Sequence, residues 1–202
     1  MKFPLLASVG LATAVVAFSG VASADPYYRH GYRDYFGTAS ASFVYGFWTG
    51  DGDVNAFAPG VNARLGFTLG SGLYLGGNFD WFFGESHDTG VAGVNASSHV
   101  GIYDVMGEVG YDFWVHRHGI IRPKIGLGVG VLHGNNCDGV DGIGSICNDR
   151  SRSGFAIAPG IEYMHFFDTL FLTIEGRYET VSISDIPDPN AIILGVGLGV
   201  IF

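Results

Sequence analysis

The sequence predicts an all-β protein, an eight-stranded antiparallel up-and-down β-barrel that spans a membrane. Three observations predict this fold. The last eleven residues, 192–202, alternate large apolar side chains with mostly glycine and end on Phe202. Seven earlier segments show the same period of two, which is the period of a strand with one apolar face. Short turns also alternate along the chain with longer polar connections, as they do where strands cross a bilayer back and forth.

The closing segment carries the clearest membrane signal. One face holds Ile192, Leu194, Val196, Leu198, Val200 and Phe202, and the other holds Ala191, Ile193, Gly195, Gly197, Gly199 and Ile201. A bulky apolar face suits lipid and a glycine face suits a crowded interior, whereas a soluble barrel would carry polar groups on its outer face. A tilted strand needs roughly 9 to 11 residues to cross a bilayer. The alternative interpretation is a buried edge strand of a soluble sheet.

The strands are predicted in order from alternation and from the turn residues between them. They cover about 36–48, 57–69, 73–83, 99–114, 120–132, 153–165, 170–183 and 192–202. The expected short turns are 70–72, 115–119 and 166–169, and the expected long polar loops are about 49–56, 84–98, 133–152 and 184–190. With an even strand count, both termini lie on the side of the short turns.

The N-terminus has the layout of a secretory signal peptide. Lys2 precedes an apolar stretch from Leu5 to Phe18, and small residues end in Ala22-Ser-Ala24. We therefore expect residues 1–24 to be a signal peptide cleaved before Asp25, residues 25–35 to be a flexible periplasmic lead-in, and residues 36–202 to form the barrel. A retained membrane anchor is the alternative.

The two cysteines, Cys137 and Cys147, lie ten residues apart in a predicted outer loop. An export signal and an even cysteine count favour a disulfide between them. Free thiols or a metal site are the alternatives, although a metal site needs more ligands at closer spacing.

These patterns together resemble the small eight-stranded outer-membrane β-barrels, the OmpA-like, OmpX-like and opacity-protein-like porin family. The resemblance covers nearly the whole mature chain. It implies residence in the bacterial outer membrane, contact with outer-membrane lipid and lipopolysaccharide, and a monomer. It also implies that the barrel assembly machinery reads Phe202 as an assembly signal.

The face opposite the apolar stripe carries seven acids and four bases. With a turn centred near Arg117, Asp112 should lie across from Arg122 and Gly110 across from Lys124, and Arg177 should lie between Glu175 and Glu179. A cation path or an acidic catalytic cleft is one interpretation. We favour a network of ion pairs that fills the interior, because an eight-stranded barrel has just enough room for side chains. Its predicted members are Arg64, Asp80, Asp104, Glu108, Asp112, Arg122, Lys124, Glu162, Glu175, Arg177 and Glu179.

Aromatic residues gather at both ends of the predicted strands, as expected for rings at the two membrane interfaces. One belt, near the short turns, is predicted to hold Phe36, Tyr74, Phe113, Trp114, Phe166, Phe167, Phe171 and Phe202. The other, near the long loops, is predicted to hold Phe47, Trp48, Phe57, Trp81, Phe83, Phe155 and Tyr178.

Composition argues against several functions. A formal net charge of −9 with only ten lysines and arginines argues against nucleic acid as a partner. The segment from Asp51 lacks the glycine and the final glutamate of a calcium loop, and His116 with His118 supplies only two ligands, so we predict no metal site and no cofactor. Solvated charge is favoured over weak divalent binding in the acidic loops.

Catalytic residues are not apparent. His99 with Ser97 or Ser98, or His133, could lie near the outer rim, but no nucleophile, base and orienting acid come at a recognisable spacing. We therefore predict a structural or surface-interaction protein whose acidic loops contact an unknown extracellular partner. A small porin or transport protein and a lipid-modifying enzyme are the alternatives.

Overall fold

The computed structural model describes residues 35–49, 55–91, 94–140, 144–184 and 188–202. The signal peptide and lead-in predicted for residues 1–35 lie outside these residues, apart from Tyr35. The strands are β1 (Tyr35–Trp48), β2 (Gly60–Leu69), β3 (Leu73–Val91), β4 (Val94–Tyr111), β5 (Phe113–His116), β6 (Gly119–Val140), β7 (Gly144–Phe167), β8 (Leu170–Ser182) and β9 (Asn190–Ile201).

These strands form a closed antiparallel barrel with eight strand positions around its circumference, which confirms the predicted fold. β4 and β5 together occupy one of these strand positions, interrupted at Asp112, because both pair with β6. The order around the barrel is β1-β2-β3-β4-β6-β7-β8-β9, and β9 pairs back with β1. In the described residues, closure pairs each of these strand positions with a neighbour on both sides, as a lipid environment requires.

The seam between β1 and β9 extends from Trp48 opposite Ala191 to Thr38 opposite Ile201. Phe202 continues it, because Gly37 and Phe202 exchange two backbone hydrogen bonds, of 2.8 and 3.1 Å. The last residue of the chain therefore helps to close the barrel.

Alternation determines which side chains face out. Val196 is 52% exposed on the outer face of β9, while its neighbour Gly195 is buried on the inner face. Val200 keeps the parity of the outward Leu198 but is only 6% exposed, and it lines an apolar groove together with Leu198 and Phe79. In the part of the chain that the structure describes, no helix has the length and apolar character needed to cross a membrane.

The three short turns lie where the sequence predicts them. They join β2 to β3, β5 to β6 and β7 to β8. Gly72 has φ 89° and Asp168 has φ 65°, left-handed conformations that glycine and aspartate tolerate in turns. This end of the barrel is called the short-turn end below.

Two predicted loops are largely strand instead. The segments 84–98 and 133–152 extend β3, β4, β6 and β7 beyond the rest of the barrel, with ladders that reach Val91 opposite Val94 and Val140 opposite Gly144. β4 and β6 also stay paired up to Val94 and Val140. These segments lack the alternation of apolar residues, so only their backbone pairing reveals them as strands.

We call this extension the rim sheet, defined as residues 84–91, 94–101, 133–140 and 144–154. Its β3 portion begins at a bulge between Phe82 and Glu85, where Gly84 has φ 69°. The pairing of β2 with β3 ends at Phe82 and that of β7 with β8 ends at Phe155. The rim sheet is therefore a four-stranded sheet that continues one side of the barrel wall.

Candidate functional site

The barrel interior brings together all eleven residues predicted to form an ion-pair network. Each is between 0 and 7% exposed. They lie on β2, β3, β4, β6, β7 and β8 and at the break between β4 and β5, at alternate positions that direct them inward. A buried charge is tolerated when it is paired and hydrogen-bonded, so their contacts decide what this interior can do.

Arg64 is the centre of the network. Its guanidinium lies 2.8 Å from Glu108, 2.9 Å from Glu162 and 2.5 Å from Glu175. Lys124 approaches the same three carboxylates, at 3.0 Å from Glu108, 3.8 Å from Glu162 and 2.9 Å from Glu175. Two cations thus share three carboxylates contributed by three strands.

Arg122 joins this centre to the short-turn end. It donates to both oxygens of Asp112, at 2.5 and 3.0 Å, and lies 3.4 Å from Glu162. Its guanidinium carbon stacks 3.6 Å from the ring centroid of Tyr74. Gly110 lies opposite Lys124 in the register. Asp112 interrupts the strand, and its side chain accepts a further bond of 2.7 Å from Thr68.

Arg177 organises the other half of the network, toward the rim sheet. Its guanidinium contacts Glu175 at 2.5 Å, Asp80 at 2.7 Å and Glu179 at 3.2 Å. Asp80 accepts hydrogen bonds of 2.9 and 2.8 Å from the amides of Asn62 and Asn78. Asp104 lies directly opposite Asp80 in the register.

Apolar side chains cover the polar network at both ends. Toward the rim sheet, an upper apolar layer includes Val44, Phe57, Phe82, Ile102, Val181 and Ile193. The rings of Phe57 and Phe82 meet edge to face with centroids 5.2 Å apart. At the short-turn end, a lower apolar layer comprises Ile120, Met164, Phe166, Phe171 and Ile201, with Phe36 packed against it.

The apolar layers correct part of the predicted aromatic belts. Phe57, Tyr74, Phe166 and Phe171 are buried inside the barrel instead of facing lipid. Strand parity could have identified three of them, since Tyr74 lies between the outward Leu73 and Leu75, and Phe166 and Phe171 share the parity of Glu162 and Thr173 on their strands. The exposed members are Phe113, Trp114, Phe167 and Phe202 in one belt and Phe47, Trp81, Phe83, Phe155 and Tyr178 in the other. The side chain of Trp48 lies outside the described residues.

Inward glycines make room for the large interior groups. A Cβ at Gly76 would collide with the hydroxyl of Tyr74, and one at Gly199 would collide with the ring of Phe171. A Cβ at the outward Gly77 would meet only the carbonyl oxygen of Met106, at 3.5 Å. The glycine face seen in the sequence therefore corresponds to close packing inside the barrel.

The network also has neutral partners, which are not among its predicted members. Thr173 donates to Glu162 at 2.6 Å, and Tyr74 lies 3.4 Å from Glu108. Asn62 and Asn78 bond Asp80 as described above. Their inward parity was visible in the sequence, but which charge each would contact depends on the stagger between strands.

The other candidate residues lie away from this interior. Cys137 is directly opposite Cys147 in the β6–β7 ladder, but their side chains lie outside the described residues, as do those of Ser97 and Ser98. His99 and His133 line one shallow pocket beside the bulge in β3. At the short-turn end, the Tyr163 hydroxyl lies 3.0 Å from Nε2 of His116 and 3.1 Å from Nδ1 of His165.

Comparison with known proteins agrees with the fold. The family model described as the outer membrane protein beta-barrel domain matches residues 5–202. No curated protein matches the chain. Among solved structures, Ail, the attachment invasion locus protein of Yersinia pestis in complex with the heparin analogue sucrose octasulfate, is 14% identical over 84% of this chain and 100% of its own, with a TM-score of 0.54.

A second similar structure is a major outer membrane protein from Thermus thermophilus. It is 10% identical over 84% of this chain and 100% of its own, with a TM-score of 0.56. At such identities the likeness concerns the fold alone, whereas the family model spans almost the whole sequence. The chain therefore belongs to the outer membrane protein β-barrel domain family and is a protein of the bacterial outer membrane.

Proposed function

We propose that this protein is a surface-interaction protein, a non-conducting barrel that anchors the rim sheet outside the outer membrane. The observation that carries the proposal is the rim sheet itself. β6 has 22 residues and β7 has 24, whereas β8 has 13 and β9 has 12. A bilayer crossing needs roughly 9 to 11 residues per strand, so the additional length on one side serves something other than crossing.

The rim sheet has the backbone geometry of a docking surface. Its β3 and β7 portions have no strand partner on their outer sides among the described residues, since β2 and β8 end below them. An unpaired strand edge offers backbone donors and acceptors to an added strand, a common mode of peptide recognition. We infer that an extracellular partner pairs along one of these edges.

The interior supports a barrel closed to solutes. Ion-paired side chains fill its middle, and apolar layers cover them on both sides. A solute would have to break buried ion pairs and displace aromatic rings to pass, which disfavours the porin alternative. The same packing disfavours an enzyme that uses the buried carboxylates, because a substrate would have to displace the same side chains to reach them.

The remaining expectations from the sequence complete the proposal. We propose that residues 1–24 are removed on export, that the barrel assembly machinery recognises Phe202, and that the barrel is a monomer in contact with lipopolysaccharide. The charge of −9 argues against nucleic acid as a ligand.

Shortening the rim sheet tests the surface-interaction role. Residues 135–149 are replaced by Asn-Gly, which can close a two-residue turn between the opposed Gly134 and Arg150. Residues 86–99 are replaced in the same way between the opposed Glu85 and Val100. Cells with the full chain, the shortened chain or neither are compared for retention on surfaces coated with matrix proteins, with polysaccharide-coated surfaces as the control, and for autoaggregation.

We expect only the full chain to increase retention or autoaggregation, with equal amounts of both chains in the outer membrane. Equal retention by the two chains would contradict the role of the rim sheet. Conductance in planar bilayers tests the closed interior separately. The wild-type barrel should give no steps above the bare membrane, and regular steps would support the porin alternative.

A further inference from the structure

Three carboxylates meet inside the barrel on the side of the network nearest the rim sheet. Asp80, Asp104 and Glu179 each offer one oxygen, and these oxygens all lie within 4.8 Å of one another. All three residues are completely buried. We call this group the carboxylate cluster.

The carboxylate cluster has too little positive charge around it. Arg177 is the cation that contacts it among the described residues, and Arg177 also binds Glu175. One guanidinium therefore faces three carboxyl groups of the cluster, and ionisation of all three leaves an excess of two negative charges. A buried charge without compensation costs several kcal/mol, so a neutralising species must be present.

The oxygens of the cluster are also short of hydrogen-bond donors. Neither oxygen of Asp104 accepts a hydrogen bond from any described residue, although the side chain is 0% exposed and directed into the cluster. Oε1 of Glu179 has no donor among these residues either. The amide oxygens of Asn62 and Asn78, on the two side chains that bond Asp80, are likewise buried without a donor in the described part of the chain.

We propose that the carboxylate cluster binds one divalent cation, with calcium as the preferred ion. Its unpartnered ligands are all oxygens, the type that hard cations select. Calcium–oxygen distances of roughly 2.3 to 2.6 Å mean that two oxygens bound to one ion lie no more than about 5.2 Å apart, and the oxygens of the cluster lie within this limit. Two positive charges from the ion and one from Arg177 balance the three carboxylates.

Calcium is preferred over magnesium because of the surroundings. Magnesium usually keeps several water molecules, whereas calcium takes six to eight oxygen ligands, from carboxylates, carbonyls or water, in flexible geometry. Two members of the upper apolar layer lie next to the cluster on the same faces of their strands. Phe82 is two residues from Asp80 on β3, and Ile102 is two residues from Asp104 on β4. The cluster therefore favours an ion that can lose its water.

The first test measures the ion itself. Wild-type protein is refolded from urea into detergent without lipopolysaccharide, in CaCl2, then desalted, and calcium per barrel is measured by plasma mass spectrometry. Asp104→Asn removes one cluster carboxylate, and Glu85→Gln, at an exposed position on the rim sheet, is the matched control. We expect about one calcium per barrel in the wild type and in Glu85→Gln, and a severalfold loss in Asp104→Asn.

The second test compares stability in CaCl2 and in EDTA. In EDTA, Asp104→Asn should have a higher urea midpoint than the wild type, because it relieves repulsion among the carboxylates. In CaCl2 this order should reverse, because only the wild type binds the ion well. Should Asp104→Asn fail to fold, calcium retention by the wild type and its own shift between CaCl2 and EDTA remain decisive. A wild-type barrel that retains no calcium and unfolds at one midpoint in both solutions would overturn the proposal and leave protons as the neutralising species.

Discussion

Replacing Arg64 with methionine should destabilise the barrel strongly, because one buried guanidinium serves three carboxylates. Methionine retains much of the aliphatic volume of Arg64 and removes the charge. Glu108, Glu162 and Glu175 each lose a contact of 2.5 to 2.9 Å in a site that is only 5% exposed. Removing one partner of a buried ion pair costs about 3 to 5 kcal/mol.

Neighbouring basic residues still contact the three carboxylates, so the expected loss of unfolding free energy lies at the lower end of that range. Glu108 retains Lys124 at 3.0 Å, Glu162 retains Arg122 at 3.4 Å, and Glu175 retains Arg177 at 2.5 Å. We therefore expect a loss of about 3 kcal/mol. With an m-value of roughly 1 to 3 kcal/mol/M, the urea midpoint should fall by about 1 to 3 M.

The assay is urea unfolding in lipid vesicles, followed by tryptophan fluorescence. Arg152→Met is the matched control, because Arg152 is exposed and, within the described residues, donates one hydrogen bond, of 3.2 Å, to the carbonyl oxygen of Ser184. An exposed pair contributes about 0 to 1 kcal/mol, so this variant should stay near the wild type. The Arg64 effect should also persist in high salt, since buried pairs are poorly screened. Equal midpoints for the two variants would refute the view that buried ion pairs organise the interior.

The remaining predictions test packing, oxidation and assembly. Gly76→Ala should lower the urea midpoint because its Cβ would collide with Tyr74, whereas Gly77→Ala should not, and equal midpoints would contradict the inward packing of Gly76. Cys137 and Cys147 should form a disulfide, because opposed antiparallel residues have Cα atoms about 4.5 to 5.5 Å apart, within the roughly 4.4 to 6.8 Å that a disulfide spans. Closing this loop should stabilise by about 2 to 3 kcal/mol, and alkylation of both thiols in unreduced native protein would exclude the disulfide. Phe202→Ala should refold in detergent, since the backbone bonds to Gly37 remain, yet reach the outer membrane in smaller amounts; wild-type amounts would contradict an assembly signal at this residue.

The barrel was predictable because each of its strands has an apolar face toward lipid and a polar or small-residue face toward the interior. A period of two identifies each strand, and the terminal Phe202 and the three turns place strand ends within a few residues. The same parity directed Arg64, Glu108 and the other charged residues inward. Alternation alone therefore determines the faces of most strands.

Two features were not predictable from the pattern of alternation, and a third was predictable from it but differs from the expectation stated above. The contacts of Arg64 join β2 to β7 and β8 across the interior. These contacts depend on the stagger of the strands around the closed barrel, which the sequence of a single strand does not determine. The polar residues of the rim sheet carry no alternation, so their sequence predicts loops and not strands. Phe166 and Phe171 lie near strand ends, which predicts rings at the interface, but their parity directs both side chains into the barrel.

Gel mobility of the protein from the outer-membrane fraction tests the central claim most directly. A closed barrel paired around its whole circumference should resist dodecyl sulfate without heating and shift in mobility after boiling. We predict two distinct mobilities for the wild-type protein and its recovery with the outer membrane. One unchanged mobility, or recovery of the protein in the soluble periplasmic fraction, would contradict the account.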